Sequence, residues 1–368
     1  MKVLLVIHAP LLPVSNGGQI DNLGMYDALS EFGFEVELIV TKKKYEKDKT
    51  SDATLKYHEV IRSYSTKNLL SLKPFQVSSR SQLRKITLNS KYKFLFICEQ
   101  CLEILNNPHL EYDHAFIRRN NIESSYSLRE IKHSSFLKKI FFLREFLLWK
   151  RLEDSYYKKL KNVTHLFVSE DEKKTIEFLN QDNLKYLPVL NNFSPDRKEI
   201  KFPLKLGFIG SLTTKENQLA ANVLEQFAKN NQNYSITIGG SCDPKDQKKT
   251  TNTNIKYFYN FIDENEVWDR FNVFVISHSH SVGVKVKAIE AISRGKILVC
   301  CKEVLVGLPK ELHNYCYIMD KEKQILDAIK EIENKGLKIL NSKRNEANKI
   351  LENISPKNKL KKILENYE

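Results

Sequence analysis

The opening strand restricts the fold more than any other feature of the chain. Residues Lys2 to Ile7 read KVLLVI, an aliphatic run without polar alternation. A strand with one face in water would alternate, so this run predicts a strand covered on both faces, the situation inside a parallel sheet. A loop follows, with Pro10, Pro13 and Gly17-Gly18. Then comes a helical pattern through Leu23, Tyr26, Leu29 and Phe32 that stops at Gly33. A second apolar run at 36–40 completes a βαβ unit. Runs at 94–97, 115–117 and 166–168 extend the alternation. The stretch 42–93 is polar, rich in Ser and Lys and weakly periodic, which predicts long loops and short elements.

Around 186–203 the pattern breaks into Pro, Asn and charge, as a linker does. A second βαβ series follows it. Strands are expected at 205–209, 234–238, 273–276 and 297–301, with helices at 219–227 and about 286–293. The tail from 323 reads as mostly helical, with a break at Pro356. The economical architecture is α/β with two Rossmann-like, doubly wound parallel-sheet domains facing across a cleft. The expected bounds are 1–195 for the N-terminal domain and 203–345 for the C-terminal one. Residues 346–368 form a helical tail, expected to pack back on the first domain. A length of 368 residues with 41% hydrophobic content suits two such cores. No repeat of solenoid period is present.

The net charge of +14 favours anionic partners: nucleic acid, phosphorylated small molecules or an acidic membrane surface. Most of the excess is Lys in a chain also rich in Asn, Ile, Phe and Tyr, a composition that a codon-biased genome produces by itself. No helix-turn-helix, zinc finger or aromatic RNP-like pattern accompanies it, so nucleic acid is not an expected partner. No apolar run reaches the roughly 18–20 residues of a membrane span. The N-terminal apolar stretch is too short for a signal peptide. The expectation is a cytoplasmic protein whose six cysteines are thiols. Cys98 and Cys101 form a lone CxxC, read as two thiols on one helical face and not as a metal site.

Three groups of residues are candidates for chemistry. Gly17 and Gly18, behind Asn16, lie between the first strand and the first helix, where backbone can approach a ligand and a helix N-terminus attracts phosphate; a plain turn is the alternative. The stretch 283–291 reads GVKVKAIEA, follows a predicted strand and opens a helix. Lys285 and Lys287 bring positive charge to that N-terminus, and Glu290 lies a turn further in, placed to accept from a ribose diol. Solvated charges on an amphipathic helix are the other reading. Gly210 and Ser211, ending the second domain's first strand, would face the same crevice. Neither GxGxxG nor GxxxxGK[ST] occurs. His278 and His280 precede the stretch and read as a metal pair, a sugar contact at His280, or a loop. Finally, 134–162 interleaves Phe, Leu, Ile and Trp with Lys and Arg. It is either a membrane-surface helix or a core helix with snorkelling lysines.

The stretch 283–290 with Gly295 and Gly307-Leu308 resembles the donor-binding segment of retaining nucleotide-sugar glycosyltransferases of the GT-B fold, the glycosyltransferase family 4 type. LGFIGSLTTKEN at 206–217 looks like that family's first C-terminal strand with its Gly turn and Asn. RRNNIE at 118–123 is similar to an Arg-x-His-Asn-x-Glu stretch of some members. The resemblance implies metal-independent, retaining transfer from a nucleoside-diphosphate sugar to a glycan, lipid-linked or protein acceptor in surface polysaccharide or glycoconjugate assembly, with no cofactor. It implies catalytic roles for Lys285, Glu290 and Asn120. Donor binding falls to Gly17, Gly18, Gly210, Ser211, Lys215, His280, Gly283 and Lys287. The membrane-surface reading of 134–162 would put this cytoplasmic protein peripherally at the inner face of the plasma membrane. Three positions depart from the pattern: Asn120 replaces His, Val282 replaces the first of two glutamates, and Ser211 replaces Arg, with Lys215 as its substitute. These departures motivate an alternative, a catalytically impaired GT-B protein that binds a glycan or a partner transferase.

Overall fold

A computed structural model describes residues 1–12, 17–44, 57–174, 176, 183–191, 199–248, 250–261, 263–277, 285–319 and 325–367. The chain divides into two compact units. The first holds Met1–Val14, Gly18–Asn191 and Pro356–Glu368, and the second holds Ser15–Gly17 and Asn192–Ser355.

In chain order, the first unit contains β1 (Lys2–Ile7), α1 (Gly17–Glu31), β2 (Glu35–Lys42) and β3 (Tyr57–Ile61). Short helices α2 (Thr66–Leu69) and α3 (Phe75–Ser78) lead to β4 (Lys91–Cys98) and β5 (Glu111–Arg119). Next come α4 (Glu123–His133), α5 (Phe136–Arg151), β6 (Val163–Phe167), α6 (Glu170–Lys174) and β7 (Leu184–Tyr186). The sheet is parallel in the order β3-β2-β1-β4-β5-β6-β7. Val3 through Ile7 are all buried, as their unbroken aliphatic character requires. Gly33 ends α1 at φ +83°, with Phe34 N bonded to Leu29 O and Gly33 N to Ser30 O, a left-handed cap that glycine adopts without strain.

Helix α1 is held to the strand ends by a buried clasp. Asp21 accepts from Arg118 Nε and Nη2 at 2.7 Å each and from Leu190 N at 2.8 Å. The same guanidinium donates to the carbonyls of Leu187 and Pro188, pinning the chain's exit from β7. A Cβ on Gly24 would stand 2.4 Å from Leu190 O, so this close approach requires glycine.

The second unit contains β8 (Lys205–Ile209), α7 (Lys215–Asn230), β9 (Ser235–Gly240), β10 (Ile255–Tyr259) and α8 (Asn265–Trp268). It continues with β11 (Val273–Ile276), α9 (Val286–Ser293), β12 (Ile297–Cys301), β13 (Cys316–Met319) and α10 (Ile325–Ile354). Its parallel order is β10-β9-β8-β11-β12-β13. Helix α10 bends at Gly336 (φ +73°) and runs past residue 346, where the tail was expected to begin. The break falls at Pro356, which opens α11 (Pro356–Glu365). Leu360, Ile363 and Leu364 of α11 join the core of the first unit. Tyr367 stacks on His114 and shares a 2.7 Å hydrogen bond with Thr164 Oγ1.

Arg118→Met strands the Asp21 carboxylate in the core. The expected loss is about 3–5 kcal/mol, read as a lower urea midpoint, and Asp21→Leu in the same chain restores part of it.

Candidate active site

In a doubly wound sheet, loops from neighbouring strands part where the chain reverses its order of addition, and ligands collect there at the carboxyl ends. In the second unit this point lies between β8 and β11. Gly210 and Ser211 leave β8 there. A Cβ on Gly240 would stand 1.8 Å from Gly210 O, so the β8 and β9 exits run backbone against backbone. Ser211 O accepts from Asn217 Nδ2 at 2.9 Å, and Ser211 Oγ bonds Thr213 and Ser241 hydroxyls at 2.8 Å. Helix α7 starts one turn later, with Lys215 and Glu216 in its first turn.

From the other side of the switch point comes α9. Its N-cap is Lys285, with no side-chain cap on the helix. Thr214 at the N-cap of α7 makes none either. Neither N-cap side chain therefore satisfies the first-turn N–H groups of its helix, and helix starts with open N–H groups attract anions. Lys285 Nζ lies 3.9 Å from Glu216 Oε2, which brings the two helix starts together. His280 and Gly283, with Val282, lie outside the described residues.

Glu290 is buried one turn into α9. Its Oε1 accepts from Arg294 Nε at 2.9 Å. Its Oε2 is 2.9 Å from Lys287 Nζ, in an ion pair without hydrogen-bond alignment. Two cations thus offset the cost of burying one carboxylate. Lys287 also donates to Glu264 at 2.9 Å and lies 5.8 Å from the Trp268 ring centre. Sequence reading expected Lys287 to face a diphosphate; the structure ties it to the carboxylates of Glu264 and Glu290. Arg294 bonds Asn265 Oδ1 at 2.7 Å and faces Trp268. Its spacing of four from Glu290 is the signal that finds it in the sequence; Glu264 carries none.

Gly17, Gly18 and Asn120 belong to elements of the first sheet. The two glycines open α1, half-buried, beyond β1. Asn120 directly follows β5, and its Oδ1 is buried with no hydrogen bond. Around it lies a cluster of acids. Arg119 Nη2 reaches Glu99 Oε1 at 2.8 Å and Glu153 Oε1 at 3.3 Å, and its guanidinium packs on Tyr157 and Phe167. Gln100 Nε2 donates to Glu123 at 2.8 Å. Burial is the main force raising these acids, to about 7 for Glu99, about 8 for Glu123 and about 7 for Glu172. Arg119 opposes the rise in all three.

Helix α5 settles at 136–151 within the range expected for an amphipathic segment. Trp149 and Glu145 are buried, the latter accepting from Phe75 N at 2.8 Å. Phe136, Ile140, Leu143 and Leu147, one stripe by helical spacing, are exposed, and Leu137 beside them is 79% exposed.

No protein-family model matches the chain. Structures of GT-B glycosyltransferases match both units, so the fold is of that class. A TarM variant from S. aureus in complex with Fondaparinux, alpha-GlcNAc-glycerol and UDP superposes at TM-score 0.67, with 11% identity over 100% of this chain and 99% of that one. Sucrose-phosphate synthase from Thermosynechococcus elongatus gives 0.66, with 12% identity over 99% and 98%. A curated relative is more similar in sequence: a protein of Klebsiella pneumoniae, described as an uncharacterized 44.6 kDa protein in the cps region, is 28% identical over 335 residues, 81% of this chain and 82% of its own.

The acid cluster makes stability pH-dependent. Carboxyls raised from 4.5 bind protons more tightly in the folded state, so their stabilisation is complete below pH 4.5 and is lost as pH rises towards 8. His8 and His114, lowered by burial from 6.5 to about 3 and about 4, act oppositely and cost stability as pH falls below 6.5. Between 4.5 and 6.5 the two effects oppose each other. The urea midpoint of the first unit should hold there and decline from pH 6.5 to 8.5, and Glu123→Gln should flatten that decline.

Proposed function

We propose that the chain is a glycosyltransferase. It takes a sugar from a nucleoside-diphosphate donor, with retention and without a metal or cofactor, and passes it to a glycan or lipid-linked acceptor in surface-polysaccharide assembly. The observation that carries this reading is the meeting of two helix N-termini without side-chain caps, with Lys285 and Lys215, at the β8/β11 switch point. A diphosphate is the ligand that such a site favours electrostatically. The cps-region relative supports the polysaccharide setting, and the UDP named for the TarM complex supports the donor class.

In this reading the bond between the sugar's anomeric carbon and the diphosphate breaks while helix N–H groups and Lys285 stabilise the departing charge. The acceptor oxygen bonds to the same face, and its proton passes to a diphosphate oxygen. Glu290, fixed by Lys287 and Arg294, accepts from the ribose. Asn120 stands where the resembled family has a His, and its amide oxygen is buried without a hydrogen bond. An amide does not titrate as an imidazole does, and that observation favours the second reading, a binding subunit without turnover.

UDP, GDP or dTDP should raise the melting temperature of the intact protein. Lys285→Ala should weaken binding or transfer by about 100-fold, the effect of removing one preorganised donor at roughly 3 kcal/mol. Silence with all three nucleotides refutes the transferase reading. Binding without transfer, at full cellular function in Glu290→Gln, selects the second.

The exposed stripe of α5 is proposed to rest on an anionic bilayer at the inner face of the plasma membrane. Helical spacing sets Lys139 and Lys150 on one flank of the stripe and Arg144 and Arg151 on the other. Arg144 also bonds the Ser71 carbonyl, which brings the exposed Leu70 and Leu72 alongside. An apolar cavity of about 340 Å³ between Leu72, Val77, Leu102, Leu148 and Leu152 adjoins this face. The protein should co-sediment with phosphatidylglycerol vesicles, release in high salt and ignore phosphatidylcholine. Ile140→Glu with Leu147→Glu should abolish the association.

A further inference from the structure

The carboxyl edge of the first sheet holds a second concentration of positive charge. Ile7 pairs with Val40, Thr41 with Val60 and Lys42 with Ile61, so β1, β2 and β3 end side by side. Just beyond those ends stand His8 and Arg62, and Arg62 N bonds Lys42 O at 2.9 Å. Into this edge reaches Arg80, only 1% exposed.

All of Arg80's hydrogen-bond partners are neutral. Its Nε donates to Thr41 Oγ1 at 2.9 Å, and its Nη1 donates to the carbonyl and to Oε1 of Gln76. Its guanidinium also bonds the Cys101 thiol. The neighbouring carboxylates are engaged elsewhere: Glu59 by Lys42, and Asp21 by Arg118. Among the described residues, the groups that act most strongly on Arg80 electrostatically are Cys101, Arg62, Tyr64 and Cys98. His8 adds no charge, because burial and the two arginines hold it neutral, at about 3.

A guanidinium taken out of water costs several kcal/mol unless an anion balances it. Two other deeply buried arginines are balanced: Arg118 by Asp21, and Arg119 by Glu99 and Glu153. Among the described residues, Arg80 has orienting hydrogen bonds and no carboxylate in ion-pair contact. That is the arrangement of a site whose anion arrives with a ligand, since Arg is the side chain best matched to an oxyanion.

We propose that Arg80, with Arg62 beside it, binds an oxyanion, phosphate or carboxylate, carried by the acceptor. The acceptor is then an anionic glycan or a phosphate-linked lipid. Its assignment as acceptor rests on the transferase reading, in which the donor diphosphate is held in the second unit; the anion site itself does not.

The test is a thermal-shift and calorimetric series on the intact protein at constant ionic strength. Its arms are inorganic phosphate, glucose 1-phosphate, glucuronate and neutral glucose. The three anions are candidates and glucose is the blank; whichever of phosphate or carboxylate binds more tightly identifies the source. The shift should persist in Lys285→Ala, which separates this site from the nucleotide site. Arg80→Met should lose it by at least about tenfold in affinity, the equivalent of one charge-assisted hydrogen bond. The ligand-free melting temperature of Arg80→Met should hold or rise, because an unbalanced charge has left the core. A structural arginine would lower it. If Arg80→Met does not fold, the half-buried Arg62→Gln should still weaken the anion response. No shift with any anion, or an equal shift in the arginine variants, overturns the proposal. Nucleotide binding without anion binding leaves the transferase reading standing, and the converse leaves this site standing.

Discussion

A strand in a parallel sheet cannot turn straight back beside itself. Each connection must cross a face of the sheet and return to the same edge, so every β-to-α loop emerges at the carboxyl ends. In both units the first strand is central, two strands are added on one side, and the fourth is added on the other. The crossover helices then part between β1 and β4 and between β8 and β11. A crevice opens there without any residue being chosen to make it. What the residues decide is its lining. In the second unit the lining is small and cationic, Gly210, Ser211 and Lys285. The first unit's edge is lined by His8, Thr41, Cys98 and Arg80.

The deeply buried charges near these edges differ in their balance. Arg118 and Asp21 are one to one and bidentate, with the remaining donors spent on carbonyls, so nothing is left over for a ligand. Glu290 has two cations for one carboxylate and an oxygen whose hydrogen-bonding direction is unused. Arg119 is outnumbered by acids, which answer by holding protons. Arg80 has no acid in ion-pair contact among the described residues. Closed pairs hold the fold together, while imbalance either stores protons or awaits a partner.

The elements legible in the sequence are those buried on both faces. β1, β8, β11, β12 and α9 fall where their aliphatic runs place them, because nothing but complete burial explains KVLLVI or VFVI. The four strands not anticipated, β3, β7, β10 and β13, are the four edges of the two sheets. Edge strands are half-wet, so YHEVI and IKYFY mix charge with apolar side chains and look like loops. At the site, the glycines and the Lys-x-Lys-x-x-Glu spacing are local and readable. Glu264 and Arg80 are not, since their importance comes from partners 23 and 39 residues away in sequence. Asp21 looks like a solvated helix residue, and only the fold puts Arg118 against it.

The two lysines of the 283–290 stretch show how spacing sorts residues of one type into different work. Lys285 is the N-cap, before the helix begins, and its side chain reaches towards the start of α7. Lys287 lies inside the first turn, three residues before Glu290, so helical geometry turns it onto that carboxylate. Glu264 then holds Lys287 from the α8 side, and the aromatic face of Trp268 backs both Lys287 and Arg294. A change at Lys287 therefore acts on the orientation of Glu290, while a change at Lys285 removes a charge at the helix mouth. Two lysines one residue apart are not equivalent, because the helix boundary runs between them.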